Sequence, residues 1–307
     1  MKSLKQGKKI RDNIVGWLFV LPAFLFLFSF MIYPISRTFI LSFQKFNFVY
    51  DSKPVFVGLS NYVEALKTPS YLTALINTLR FTLWYIPVII VLGFLFGYII
   101  TLPKLFSSKL AKIVLFVPMV IPISMSCYMF LFILNPQWGL VNSFLANTIH
   151  LPMLVRDWMN DPRYALKIII VVTIWQRIGF ISLLFMSGIQ GIPSSIMEAA
   201  IIDGASAARR MWSIVLPNLK ETFQIVGILA IITSIKLFAQ VVAMTGALGP
   251  NSAGGPANST LTLYVATWKA AFINFDMGVG SAMGYLMSLI IFLLFGLNFI
   301  LTKSERA

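Results

Sequence analysis

Histidine, cysteine and paired carboxylates run most protein chemistry, and this sequence is short of all of them. Its 307 residues include one histidine, His150, one cysteine, Cys127, and ten aspartates and glutamates. A single imidazole and a single thiol cannot build a metal cluster, and Cys127 lies in an apolar run where it reads as a small packing residue. His150 reads as an incidental surface residue. With no metal-ligand set and no carboxylate pair, an intramembrane enzyme has no chemical equipment here. No Gly-x-x-x-x-Gly-Lys-Ser/Thr phosphate loop occurs, so ATP hydrolysis by this chain is not expected. What stands out instead is basic charge in apolar surroundings. Arg177 and Lys236 fall near the centres of long hydrophobic runs, with Arg80 nearer the end of one. A basic side chain at the middle of a bilayer costs roughly 2.5 to 3.5 kcal/mol on insertion scales, so both must face a cavity or a partner. No acid lies deep in the same runs. The two cations can serve an anionic ligand, or be satisfied by water, backbone carbonyls or an acid on another chain. Trp175, Gln176, Tyr128, Gln240 and Ser124 sit at similar depths, either as planar and hydrogen-bonding groups for a polyhydroxylated solute or as packing.

The elements that must position these residues are membrane spans. The sequence is 58% hydrophobic and 11% charged, too apolar for a domain solvated by water. Crossing a hydrocarbon core takes roughly 20 apolar residues in a helix, since unpaired backbone groups are too costly in lipid. About six such runs occur, near Ile14 to Ile35, Leu72 to Thr101, Leu110 to Leu134, Ala165 to Gly188, Thr222 to Met244 and Val279 to Thr302. The first follows Lys2, Lys5, Lys8, Lys9 and Arg11 as a signal peptide would, but it is long, rich in aromatics and without a small-x-small cleavage site, so it reads as a retained anchor. The division is a basic tail over 1–13, a first span and external loop over 14–71, a five-helix core over 72–302 and a tail over 303–307. The net charge of +14 is scattered among apolar segments rather than gathered into an aromatic-interleaved stripe, which excludes a nucleic-acid surface.

Six spans place both termini on one side. The N-terminal lysines and Arg11, Lys104, Lys109, Lys112, Arg209, Arg210, Lys220, Lys303 and Arg306 share that side and outnumber Lys45, Lys53, Lys67, Arg156, Arg163, Lys167 and Lys269 on the other. The positive-inside bias makes the termini cytoplasmic, and with them the connection over 189–221. In that connection Ser195 and Glu198 have the spacing of a capping box. Ala199 to Ile202 favour a short helix, Gly204 can supply the positive φ that ends it, and a second short helix is expected from Ala207 to Ile214. Pro217 suits the first turn of the fifth span. Pro87, Pro118 and Pro122 can kink their helices, and Gly93-x-x-x-Gly97 and Gly280-x-x-x-Gly284 allow close helix approach.

Glu198-Ala199-Ala200, then Gly204 after Asp203, then Ile214 and Leu216-Pro217 resemble the EAA loop of bacterial ABC importer permeases. The likeness extends over nearly all of the chain to the sugar permeases of the maltose and glycerol-phosphate type. Leu18-Phe-Val-Leu-Pro22, Tyr33-Pro34, Phe56-Val-Gly-Leu-Ser-Asn-Tyr62, Asn77-Thr-Leu79, Gly139-Leu-Val-Asn142, Gly188, Ile192-Pro193 and Gly254-Gly-Pro256 follow the subunit usually encoded first. Ala239-Gln240 stands where members often have an acid after an aromatic, and Ala247 to Ala253 are extra, two departures that touch the pocket and an external loop.

The resemblance implies an all-α type I importer permease that moves a sugar by alternating access, and Arg177 and Lys236 would suit an acidic one. It implies a second homologous permease in a heterodimer, a pair of ATP-binding subunits gripping Glu198 to Pro217, and an extracytoplasmic sugar-binding protein. It also implies that ATP and magnesium are used by the ATPase subunits, with no cofactor on this chain; the cost of charge at mid-membrane, and not the resemblance, offers Arg177, Lys236 and their neighbours as lining of the sugar pathway. The competing readings are an ABC permease for a non-sugar solute and an ion-coupled secondary transporter. The second would place acids at mid-membrane, which this sequence does not.

Overall fold

A computed structural model describes residues 2–102, 109–246 and 249–303; Lys104, the first two residues of the extra segment and the tail beyond Lys303 lie outside the described residues. Long apolar runs satisfy their own amides as helices, and the chain is built from them. The first span is one helical rod made of α1 (Lys2–Leu27), a π-helical turn (Phe28–Ile32) and α2 (Tyr33–Ser42). The basic N-terminal tail is thus the first turns of the rod. The apolar stretch from Val15 to Ser42 has no buried window and stands away from the rest of the chain. Only its last turns are tied, where Tyr285 Oη donates to the Ile35 carbonyl at 2.7 Å and Phe39 meets the Tyr285 ring edge-on at 5.1 Å.

A small platform follows: β1 (Gln44–Lys45) pairs antiparallel with β2 (Val55–Phe56), and α3 (Ser60–Lys67) comes next. Buried Asn61 joins these pieces by donating to the carbonyls of Ser42 and Gln44, both at 2.9 Å, while Tyr62 Oη pairs with Ser42 Oγ at 2.7 Å. The pattern around Asn61 and Tyr62 is therefore a clasp between the first span and α3.

Two uninterrupted spans form the centre, α4 (Pro69–Thr101) and α8 (Ala165–Gln190). In lipid there is little hydrophobic gain from helix contact, so association depends on close van der Waals fit, which small residues permit. Gly93 and Gly97 supply it: a Cβ on Gly97 would lie 2.8 Å from both Phe185 Cβ and the Ser182 carbonyl, and Gly93 abuts Ile181. Phe94, Phe185 and Phe223 stack around the same seam and bring in α12, with centroids 4.9 to 6.0 Å apart. Pro87 sits inside α4 without interrupting it.

The third and fifth spans are not the single helices expected. Between α5 (Lys109–Val120) and α6 (Ile123–Ile133) the chain bends by 106°, and a four-residue helix, α7 (Leu140–Ser143), follows α6. Pro122 stands at the bend: it has no amide to donate, and its ψ of 135° is extended. Pro118, by contrast, stays inside α5. On the far side of α8, α9 (Ser194–Ile202), α10 (Ala207–Arg210) and α11 (Leu216–Asn218) lead to the fifth span. This is split into α12 (Lys220–Ile235) and α13 (Ala239–Thr245) around Lys236, Leu237 and Phe238. A short α14 (Leu263–Trp268) and the sixth span α15 (Met277–Lys303) complete the chain. Counting the bent third span as one, six spans are present among the described residues.

Candidate functional site

Two places carry the sequence-derived candidates. The first is the connection between α8 and α12. Its ends are held close because Gly188 leaves room for Leu219 and Thr222; a Cβ there would meet Leu219 Cδ2 at 2.7 Å. Buried Val215 and Leu219 anchor the connection, while Glu198, Ala199, Asp203 and Gly204 are exposed, Ala200, Ile214 and Leu216 are half-buried and Pro217 is exposed. The capping box does not form. Helix α9 starts two residues early behind Pro193, so Ser195 falls inside its first turn and makes no capping bond. The cap that does form belongs to α10, where Ser206 Oγ accepts from the Arg209 amide at 3.3 Å.

The end of α9 explains the glycine of the pattern. Gly204 has φ +74°, and the amides of Gly204 and Ala205 donate back to the carbonyls of Ile201 at 3.0 Å and Ala200 at 2.9 Å. This is the Schellman arrangement, which needs a left-handed residue at that position. Arg210 Nη1 adds a 2.6 Å bond to the Ala205 carbonyl, fixing the turn. The second helix is shorter than expected, passing into a π-helical turn over Met211–Val215, so Pro217 lies in α11 rather than in the first turn of α12. The result is a helical elbow that bares large apolar side chains beside the exposed Glu198, Asp203 and Arg209: Ile201, Ile202 and Trp212 are 56%, 85% and 67% exposed. Side chains of that kind beyond the spans call for a covering surface.

The second place lies around the two breaks. Helix α13 packs on α6, and both touch α8, so the two interruptions meet at the middle of the same long helix. Gln176 of α8 faces the first break, its Nε2 donating to the Ile121 carbonyl at 3.5 Å; its Oε1 is buried without a partner among the described residues. Trp175 is half-buried and meets Phe130 of α6 edge-on at 5.2 Å. Lys236 lies in the second break and is exposed, as is Arg177 on α8. Ser124 and Tyr128 project from α6, and Gln240 is buried in α13. Broken backbone at membrane depth is tolerated only where it is packed in protein or lines water. Part of it is packed: Thr262 Oγ1 donates to the freed Leu237 carbonyl at 2.7 Å, wholly buried.

Sequence reasoning missed Thr262 and the loop that delivers it. Gly254 and Gly255 both have positive φ, which lets the chain double back, and Asn77 on α4 holds the return by donating to the carbonyls of Asn258 at 2.8 Å and Leu261 at 3.1 Å. Thr78 accepts from the Leu263 amide at 3.0 Å. The Gly-Gly-Pro and Asn-Thr-Leu patterns are thus two halves of one clamp. Lys269 Nζ bonds the Asn251 and Ala253 carbonyls, so the extra residues are tied down, and desolvation lowers its pKa. Beside this loop, Asn47, Glu64, Lys269 and Asp276 line a polar cavity of about 420 Å³.

No family model matches the chain. It is 31% identical over 287 residues to the probable ABC transporter permease protein YurN of Bacillus subtilis, covering 91% of this chain and 93% of that one. It is 30% identical over 277 residues to the sulfoquinovosyl glycerol transport system permease protein SmoG of Agrobacterium fabrum, covering 90% and 86%. Among solved structures it resembles a chain of a bacterial alginate ABC transporter in complex with an alginate pentasaccharide-bound periplasmic protein. The TM-score is 0.78 at 17% identity, over 95% of this chain and 94% of that one.

Proposed function

The chain belongs to the permease subunits of ABC sugar importers, multi-pass proteins of the bacterial cytoplasmic membrane, and from that premise we propose how it is powered and what it carries. The termini and the α8–α12 connection face the cytoplasm, as the distribution of lysine and arginine favours. The elbow from Glu198 to Pro217 is the coupling element, seated in a pair of separate ATP-binding subunits that use ATP and magnesium; this chain supplies no ATPase site. The observation that carries the reading is the Schellman-capped α9, which bares the large apolar Ile201 and Ile202. A second, homologous permease pairs with this one, which accounts for the first span standing clear of its own core. An extracytoplasmic binding protein delivers the sugar, as the periplasmic protein in the alginate complex supports by analogy.

Alternating access then works at the breaks. ATP-driven closure moves α9 and, through Gly188 and Leu219, the starts of α12 and ends of α8. The continuous α4–α8 pair transmits this motion, while α5/α6 and α12/α13 absorb it at residues 121–122 and 236–238. Arg177, Lys236, Trp175, Gln176, Gln240, Tyr128 and Ser124 line the pathway, completed by the second permease. Two cations without a buried acid among the described residues favour an anionic sugar, and both the sulfoquinovosyl glycerol in the name of one relative and the acidic polysaccharide alginate in the name of a structural neighbour support that class.

The test is uptake by vesicles holding the four-component transporter. Ile202→Asp places a charge where the side chain is 85% exposed, so the permease should insert and pair normally but lose its ATPase subunits and its uptake. Uptake by this chain alone, driven by an ion gradient, would overturn the assignment. For the cargo, Lys236→Gln and Arg177→Gln should depress import of a uronic-acid disaccharide more than of its neutral counterpart; equal transport of both by all variants would sink the acidic reading.

A further inference from the structure

The external end of α8 carries a group of cations that transport does not use. Arg156, Arg163 and Lys167 surround the ring of Tyr164, their charged atoms 5.3, 5.7 and 5.4 Å from its centroid. Arg163 alone is neutralised, by a 2.7 Å ion pair with Asp161, whose carboxyl is held down at about 2 by that partner. The carboxylate of Asp157 is taken by Asn160 at 2.8 Å, and neither Arg156 nor Lys167 has an ion-pair partner among the described residues. An aromatic face attracts cations but leaves their charge in place. The start of a 26-residue helix adds the positive end of its dipole to the same spot.

This cluster is held in place. Buried Asn142 donates to the Arg156 carbonyl at 2.9 Å and accepts from its amide, and it accepts from Trp158 Nε1 at 2.8 Å. The Trp158 ring in turn packs edge-on against Tyr164 at 5.7 Å. A single asparagine therefore positions one cation and the aromatic plane between all three. Immediately before Arg156 the chain exposes Leu151, Met153 and Val155, with Met153 at 78%, on a turn bent by His150 at φ +56°.

Cations around a tyrosine, at the first turn of a spanning helix and beside an exposed apolar turn, match one environment: the boundary between lipid headgroups and acyl chains. We propose that Arg156 and Lys167, with Arg163 paired to Asp161 beside them, bind the phosphate of an anionic phospholipid in the external leaflet, with the Leu151–Val155 turn dipping into the boundary beside it. The leaflet rests on the orientation proposed above; the lipid site itself does not. A soluble acidic protein could answer the charges but would leave Met153 and Leu151 against water, which is why lipid is the better occupant.

The purified transporter, exchanged into mixed phosphatidylglycerol and phosphatidylcholine nanodiscs and released for native mass spectrometry, should retain phosphatidylglycerol preferentially. Lys167→Gln should reduce that preference about fivefold, and the Arg156→Gln, Arg163→Gln, Lys167→Gln triple variant about 25-fold or more, because Arg163 is already answered by Asp161, at the usual strength of one basic residue near an anionic surface. Met153→Ser should weaken retention of both lipids alike. A monodisperse triple variant with unchanged lipid preference would overturn the proposal. So would a variant whose lipids are unaffected while its capture of the binding protein falls and becomes insensitive to salt, an outcome that would assign the cluster to a protein contact.

Discussion

The α4–α8 pair and the α5/α6 and α12/α13 spans are made of similar residues and behave oppositely. Both groups are apolar and both contain proline. Yet α4 runs unbroken through Pro87, while the third span folds back at Pro122 and the fifth breaks at Lys236 with no proline at all. The difference lies in what surrounds each backbone. Helix α4 is gripped along its length by α8 through Gly93 and Gly97, so a missing hydrogen bond at Pro87 has no room to open into a bend. At the breaks, other groups take over the backbone: Gln176 reaches the Ile121 carbonyl and Thr262 the Leu237 carbonyl. Packing, more than proline content, decides which helix is a strut and which a hinge.

The strut is the most sensitive place to break this contrast. Gly97→Leu must push a side chain into Phe185 and the Ser182 carbonyl, both already at contact. It should cost about 3 kcal/mol or more and separate α4 from α8. Thermal unfolding of the detergent-solubilised chain would register this as a large fall in Tm; an unchanged Tm would mean that the seam is not as tight as the glycines indicate. At the hinge, Thr262→Val removes the hydroxyl but keeps the shape. It strands the buried Leu237 carbonyl at about 1 to 2 kcal/mol and should lower transport more than it lowers Tm, because the break loses its defined geometry. A loss confined to Tm would make Thr262 merely structural.

Much of this contrast was legible in the sequence, and the part that was not has a physical reason. Six apolar runs and their approximate limits follow from the thickness of a bilayer, and Gly93-x-x-x-Gly97 announced a close seam that the structure places between α4 and α8. Gly204 was readable as a left-handed cap because few residues accept that φ. The capping box at Ser195 failed because a cap depends on the residue at which a helix begins, and Pro193 moved that point by two. The break at Lys236 could not be read at all, since no local residue forces it; it depends on Thr262, twenty-five residues away, being delivered by a loop that Asn77 holds. Long-range satisfaction of the backbone leaves no local pattern.

The smallest effect separates the two prolines. Pro87→Ala returns a hydrogen bond to a helix that is already continuous, so stability should shift by less than about 1 kcal/mol and no distance should change. Pro122→Ala restores an amide where the chain is folded back, allowing α5 to run on into α6 at a similarly small cost. Spin labels at Val114 and Phe132, both exposed, in a Cys127→Ser background can report this. Eighteen residues of uninterrupted helix would hold the backbone at those sites about 27 Å apart, and the 106° bend holds them much closer. The wild type and Pro87→Ala should give the shorter distance alone, and Pro122→Ala a second population near the longer one. If Pro122→Ala keeps only the short distance, Pro122 is a marker of the bend and not its cause, and the packing of α13 against α6 is then what folds the third span.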